Sequence, residues 1–445
     1  MKIFDKKAEQ GRKVDARNAE EQNTREMISK LLKFDTNQNQ NSGYFQYDFE
    51  RNLVPQFRLG QKMKDYQILS LNWMLRAFQD NRNVVLADEM GLGKTVQSIG
   101  LLDHFIKINK IRGPFLVLAP LSTIDHWKTV SETWTFMNVV VYHDRAGAEG
   151  RQRIRDTDWY YTDITNKGTI TNKQKISKFN LMITTYEVFN QDVQYLKEVA
   201  FQYIVIDEAH RLKNASTKTL SLLKEHPCRR IMLLTGTPVQ NNTKELFTLL
   251  NYIEHEKFSS YDKFMREYGT LQSAGQIDKL KEILKPHFLR RMKDEVEKSI
   301  PPLQETVVDV GLTSKQQEYY KGIYGENLAL LTNLGAQAKN INLNNIDMQL
   351  RKCCNHLYLL KGIEEEITKN CRTDEDIFNK LLESSGKLQC LDKFIEKYRN
   401  EGHKMLVFTQ FKGMVDIIQQ YLTFKQIRCE ILTGTVKSQD RITSI

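Results

Sequence analysis

Five short, largely apolar runs punctuate the middle of this chain, at 84–87, 115–119, 181–184, 203–206 and 231–234. Runs of this length without alternation predict strands buried on both faces, as in a parallel sheet. Between them apolar residues recur at helical spacing. After the first run, Val96, Ile99, Leu102, Phe105 and Ile106 trace one helix face. Strand and helix in alternation predict an α/β fold, a parallel sheet wrapped on both faces, over residues 44–292.

The flanks differ. Residues 1–43 are charged and polar and end in an Asn/Gln-rich run, which reads as a tail or linker. Within it a helix is expected over 23–34, with Met27, Leu31 and Phe34 on one face. An aromatic segment that includes Phe45, Tyr47 and Phe57 leads into the ordered region near Pro55. Residues 293–382 are expected to be a connecting and mostly helical region. A second α/β unit begins in 383–445, with a strand at 405–408, a helix to 424 and a strand at 429–432. One strand-helix-strand is too little for a lobe, so this unit is expected to be incomplete.

Composition narrows the classes. At 445 residues the chain has room for roughly three domain-sized units. No stretch approaches the ~20 apolar residues of a membrane span, and Met1-Lys2-Ile3-Phe4-Asp5 lacks a signal-peptide core. No membrane partner is expected. The six cysteines form no C-x-x-C pair and read as reduced thiols of cytosol or nucleus, not as a zinc site. A net charge of +10 suits a polyanion, without singling out nucleic acid.

The chemistry lies at strand ends. Ala87-Asp88-Glu89-Met90-Gly91-Leu92-Gly93-Lys94-Thr95 joins the first strand to a helix. Such a Gly-rich turn presents backbone N–H groups and an ammonium to phosphate oxygens, at the positive end of a helix dipole. Asp88 stands where the usual phosphate-loop pattern has Gly. Ile206-Asp207-Glu208-Ala209-His210 ends the fourth run, and its acidic pair can hold a metal and position a water. Together the two segments point to nucleoside-triphosphate binding in a lineage that hydrolyses it.

Further segments fall in a recognisable order: Met63-Lys64-Asp65-Tyr66-Gln67, Ala119-Pro120-Leu121-Ser122-Thr123, Ile183-Thr184-Thr185-Tyr186-Glu187, Leu234-Thr235-Gly236-Thr237-Pro238, Leu289-Arg290-Arg291 and Leu350-Arg351-Lys352-Cys353-Cys354-Asn355-His356. With these, residues from about 55 onward resemble the ATPase motor of Swi/Snf-related chromatin remodellers in helicase superfamily 2. Within that group the chain looks most like the chromodomain-helicase-DNA-binding class, leaning to its Kismet-like subgroup.

The resemblance implies a RecA-like first lobe, a helical insertion and an incomplete second RecA-like lobe. It implies ATP and Mg as cofactors, double-stranded DNA and nucleosomes (histones) as partners, possible remodelling-complex subunits, and the nucleus as location. Lys94 is expected on the β/γ-phosphates, with Gly91, Gly93 and Asp88 in the loop that holds them. Thr95 and Asp207 are expected on Mg, Glu208 on the attacking water, and Gln67 on the adenine edge. His210, Thr235, Gly236 and Thr237 are expected to couple phosphate state to lobe movement. Ser122, Thr123, Thr184 and Thr185 are expected on DNA phosphates, although a helix N-cap explains Ser122 or Thr123 equally well. Arg290, Arg291 and Lys293 form a basic group that either contacts DNA or is a solvated face. Trp127 reads as core in preference to a base-stacking platform. The resemblance gives no task for Arg351, Lys352, Asn355 and His356.

The family's two late motifs, with arginines for the γ-phosphate, do not occur in the sequence. The chain is therefore expected to be a fragment, a truncated gene model or a degenerate paralogue, with weak or no turnover by itself. An alternative is a non-catalytic ATP- and DNA-binding module; an RNA helicase of the same superfamily is a weaker one.

Overall fold

All five expected strands form, and two more join them in one parallel sheet of order β3-β4-β2-β5-β6-β1-β7. The strands are β1 (Val84–Leu86), β2 (Phe115–Leu118), β3 (Val139–Val141), β4 (Leu181–Thr184), β5 (Tyr203–Ile206), β6 (Ile231–Leu234) and β7 (Phe288–Leu289). This computed structural model describes residues 45–48, 51, 53–161, 176–213, 216–228, 230–236, 243–268, 274–298, 301, 303–333 and 343–434. The helix expected over 23–34, and Thr237, lie outside the described residues.

Two strands lie outside the five expected runs, although the three valines of one are themselves an apolar run. β3 is an edge strand and its three valines are only half-buried. β7 is two residues long and sits between His287 and Arg290. It nonetheless pairs with β1, Val85 opposite Phe288 and Leu86 opposite Leu289.

Alternation across the strands sends successive side chains to opposite faces. Val85, Leu116, Leu118, Ile204, Ile206 and Leu233 enter one core, with Phe189, Leu223, Leu246, Leu250 and Leu284 from covering helices. Val84, Leu86, Val117, Ile183, Val205 and Leu234 enter the other. That second face is covered by α1 (Asp65–Gln79), α2 (Lys94–Lys107) and α3 (Ile124–Trp134), through residues such as Leu71, Ile99, Phe105 and Trp127. Each fully buried aliphatic side chain contributes about 1.5–3 kcal/mol, so burial on both faces holds the strands in place. The ends of β5, β6 and β1 are neighbours. The turns after them therefore emerge at one edge of the sheet, the carboxyl edge where α/β folds bind ligands.

Ahead of α1, a short strap is fastened to this layer. The Tyr47 N–H donates to Asn72 Oδ1 and the Asn72 amide donates to the Tyr47 carbonyl, both at 2.8 Å. The Tyr47 hydroxyl and His104 Nδ1 lie 2.9 Å apart.

The residues form two compact units, divided between Pro301 and Pro302. The expected boundary near 292 falls short of that division, because β7 and the residues after it stay attached to β1. In the second unit, helices Ser314–Asn333, Leu343–Asn355, Asp374–Glu383, Gly386–Asn400 and Lys412–Phe424 form. Leu381, Leu388, Ile395, Met414, Ile417 and Tyr421 make its core. Among the described residues neither 405–408 nor 429–432 is a strand, and Leu406 and Phe408 are exposed. A parallel strand needs a ladder and two covered faces, and the described residues supply neither here. Among them no helix is long and apolar enough to cross a membrane.

His104 is buried, and burial pushes its pKa down from 6.5 to about 4. The unfolded chain takes up this proton near 6.5 and the folded chain only near 4, so stability falls as pH drops through that window. His104→Gln keeps an acceptor for Tyr47 and removes the titration. Urea midpoints between pH 7 and 4.5 are expected to fall less for the variant than for the parent. Equal losses would show that His104 is not a buried neutral group.

Candidate nucleotide-binding site

The turn between β1 and α2 needs its glycines. Gly91 and Gly93 have φ of 88° and 77°, the left-handed region that side chains disfavour. A Cβ on Gly93 would also stand 2.5 Å from the Gln67 amide nitrogen. Gly93 caps α2, so Lys94 and Thr95 open the helix where its unpaired N–H groups favour an anion. The Lys94 ammonium donates to the carbonyls of Asp88 (2.8 Å) and Glu89 (3.3 Å). Burial lowers its pKa, opposed by the carboxylates of Asp88, Glu208, Asp207 and Glu89.

Gln67 braces this turn from below. It is buried; its Oε1 accepts the Lys64 N–H at 2.9 Å and its Nε2 donates to the Leu92 carbonyl at 3.2 Å. Adenine recognition would fall to its second N–H and remaining lone pair.

Asp88 departs from expectation. Its side chain is fully buried. Oδ1 accepts the Arg291 N–H at 3.0 Å and Nε at 3.1 Å, while Arg291 Nη2 pairs with Oδ2. Arg291 also donates to the Tyr66 carbonyl and Ser70 Oγ, and its guanidinium lies over the Tyr66 ring at 5.2 Å. Gln97 adds an amide within 3.3 Å of both partners. The Asp88 side chain thus pins the root of the loop, and Arg291 is buried in that pairing, not a solvated residue. A buried pair of this kind survives only because its remaining donors and acceptors are matched.

The acidic pair follows β5, with β6 between it and β1. Asp207 Oδ2 accepts the Trp127 indole N–H at 2.8 Å, and Oδ1 accepts the Glu208 N–H at 3.0 Å. Burial raises its pKa, and these hydrogen bonds, Lys94 and Thr123 work against the rise. Glu208 has φ of 52°, a strained conformation for a residue with a side chain. Its Oε2 lies 3.1 Å from His210 Nδ1. The Tyr186 hydroxyl donates to the Asp207 carbonyl. From β6, buried Thr235 bonds its N–H to the Leu86 carbonyl at 3.1 Å. A Cβ on Gly236 would strike Met90 Cγ at 2.4 Å and stand 3.6 Å from Lys94 Nζ. The sheet thus brings Lys94, Asp207, Glu208, His210, Thr235 and Gly236 to one carboxyl edge.

The expected DNA-contacting hydroxyls mostly serve the fold instead. Thr184 is fully buried and donates to the Tyr142 carbonyl at 2.7 Å. Thr185 is buried as an N-cap, its Oγ1 accepting the Val188 N–H at 3.1 Å. Both hydroxyls are thus committed to partners within the fold. Thr123 lies between the Pro120 carbonyl (3.0 Å) and Asp207 Oδ2 (3.5 Å). Ser122 is exposed. In the second unit His356 is buried; its Nε2 donates to the Leu381 carbonyl and its Nδ1 accepts the Tyr358 N–H. It ties helices together.

A cavity of about 480 Å³ lined by Phe78, Phe105, Phe115, Phe201 and Cys228 lies at the opposite ends of the strands and has no part in this chemistry. Sequence reasoning missed Trp127 and Tyr186 as supports of Asp207. Trp127 reads as core and Tyr186 only as part of a strand-end segment, and only the fold aims the indole N–H and the phenol at the acidic turn.

The geometry fits a phosphate chain and a divalent cation: left-handed glycines leave the loop backbone bare, an ammonium closes it, and a carboxylate and a hydroxyl flank it. A family model for the SNF2-related domain matches residues 66–359. Chromodomain-helicase-DNA-binding protein 8 of Xenopus tropicalis is 41% identical over 399 residues, 88% of this chain and 18% of that protein. Chromodomain-helicase-DNA-binding protein 7 of Homo sapiens is 41% identical over 399 residues, 88% of this chain and 13% of that protein. The chain thus spans under a fifth of the length of these relatives. Among solved structures, the Sulfolobus solfataricus SWI2/SNF2 ATPase core in complex with dsDNA aligns with a TM-score of 0.48 at 26% identity, covering 88% of this chain and 76% of that one.

Removing one member of the buried pair should cost more than removing both. Arg291→Met leaves Asp88 buried and unpaired, an expected loss of about 3–5 kcal/mol. Asp88→Asn with Arg291→Met is expected to recover most of it in urea denaturation. Equal destabilisation of the single and double variants would contradict the pairing.

Proposed function

Because the chain belongs to the SNF2-related family, we propose that it is the ATP-binding part of a chromatin-remodelling motor that hydrolyses ATP with Mg and moves double-stranded DNA. One observation carries this reading: a left-handed glycine turn and Lys94 share an edge of the sheet with the strained Asp207–Glu208 turn. The family membership, the net charge of +10 and the relatives' DNA-binding names support a polyanionic partner. Nucleosomes, partner subunits and a nuclear location belong to the same proposal.

Each residue has a physical task. Lys94 neutralises the β- and γ-phosphates from the helix N-terminus, and the N–H groups of the Gly91–Gly93 turn orient them. Thr95 and Asp207 would hold the metal; the Trp127 indole keeps one Asp207 oxygen aimed, and both oxygens retain lone pairs for a cation. Mg, when bound, would supply charge neutralisation to the phosphates. Glu208 orients the attacking water, and its neighbour His210 senses the position of that carboxylate. Thr235 and Gly236, backed against Met90 and Lys94, transmit the state of the loop to β6. Ser122 remains the hydroxyl available to a DNA backbone, which phosphate contacts would follow without reading sequence.

A second reading is a non-catalytic ATP- and DNA-binding module, in which the same site holds nucleotide without turning it over.

Three measurements separate these readings. Lys94→Ala is expected to weaken binding of a fluorescent ATP analogue by at least about tenfold, the loss of one charge-assisted contact. Unchanged affinity would remove the nucleotide reading. Glu208→Gln is expected to keep that affinity. In steady-state phosphate release the motor reading expects stimulation of the 445-residue chain by duplex DNA, and the non-catalytic module expects none. DNA affinity should fall steeply with salt, log K changing by about −0.9 per log salt for each phosphate neutralised. Tight binding indifferent to salt would contradict a backbone-following surface.

A further inference from the structure

The segment that leaves the sheet after β7 runs alongside the phosphate loop. The Ala87 N–H donates to the Leu289 carbonyl at 2.7 Å and the Glu89 N–H to the Arg291 carbonyl at 3.0 Å. Glu89 Oε2 accepts the Lys293 N–H at 2.7 Å. Lys64, at the N-cap of α1, pairs with Glu297 further along. The loop and this exit segment are thus laced together over several consecutive residues.

Lys293 is held over the loop by that lacing. A Cβ placed on Gly91 would stand 3.2 Å from Lys293 Cε and 3.4 Å from its Nζ. The ammonium therefore lies against the backbone of the phosphate loop. It is half-buried, and among the described residues it forms no ion pair and no side-chain hydrogen bond. Arg291 is engaged by Asp88 and Lys94 by the carbonyls of its own loop, while Arg290 interacts with the carboxylates of Glu295 and Glu89. An ammonium fixed beside bare loop backbone, with no acceptor of its own, is suited to a phosphate oxygen.

We propose that Lys293 is a second cationic contact for the phosphate chain of the nucleotide, carried to the loop by the exit segment. The inference rests on the ATP-binding reading and extends it. A nucleotide would be gripped by Lys94 from the strand-to-helix turn and by Lys293 from the segment that continues toward Pro302. Phosphate occupancy would then bear directly on the chain leaving the first unit. Adenosine, with no phosphate, would not engage Lys293 at all.

The test uses the 445-residue chain and fluorescence titrations with ATP–Mg, ADP–Mg and adenosine. The variants are Lys293→Ala, Lys293→Arg and, as reference, Lys94→Ala. Lys293→Ala is expected to lose about tenfold in affinity for a phosphate-bearing nucleotide, to bind adenosine as the parent does, and to melt at the parent's temperature without ligand. Lys293→Arg is expected to restore most of the loss, which a merely structural role would not predict. Parental ATP and ADP affinity in Lys293→Ala, with Lys94→Ala defective, would overturn this inference and leave the nucleotide reading standing. Equal losses for adenosine and ATP, or no rescue by arginine, would also overturn it. Failure of the parent chain to bind any of the three would instead bring down the nucleotide reading, and this inference with it.

Discussion

The buried ion pair between Asp88 and Arg291 is the constraint on which the site depends. It joins the root of the phosphate loop to the residue just past the last strand, in an interior where an unpaired charge would cost several kcal/mol. The pair tolerates burial because Tyr66, Ser70 and Gln97 occupy the remaining donors and acceptors. With Asp88 fixed, the carbonyl that receives Lys94 is fixed too. The left-handed turn at Gly91 and Gly93 then follows from geometry, and Gln67 closes it from beneath.

The acidic side of the site is built by the same logic from other elements. Asp207 is aimed by an indole N–H from α3 and by the backbone of its own turn, at some expense in desolvation that raises its pKa. Glu208 holds a conformation that L-residues avoid, and such strain persists where its surroundings enforce it. Both sides depend on the order β5-β6-β1, which leaves only one strand between the loop and the acidic turn.

What could be read beforehand was whatever depends on local pattern. The strands at 181–184, 203–206 and 231–234 match their apolar runs to the residue, because central parallel strands must be apolar on both faces. The loop and the acidic pair were legible from residue type and spacing. Edge elements were less so: the run 139–141 is apolar and β-branched but lay outside the five runs, and β7, two residues long, shows no pattern. Tertiary roles were not legible. Thr184 and Thr185 look like backbone-following hydroxyls until the fold shows one donating to Tyr142 and the other capping a helix. Asp88 and Arg291 lie 203 positions apart, and no local rule pairs them. The apolar stretches at 405–408 and 429–432 satisfy the strand pattern and are not strands, since a pattern does not provide a neighbouring ladder.

The central claim is that the phosphate loop and the exit segment form one mechanical unit at which nucleotide is bound. Hydrogen exchange measured with and without ATP–Mg tests it most directly, because amide protection reports local opening. The account predicts that amides of 88–95 and of 288–293 slow together when nucleotide is added, and that the paired variant Asp88→Asn/Arg291→Met slows only in the loop. Protection confined to 88–95 in the parent chain, with 288–293 unchanged, would contradict it.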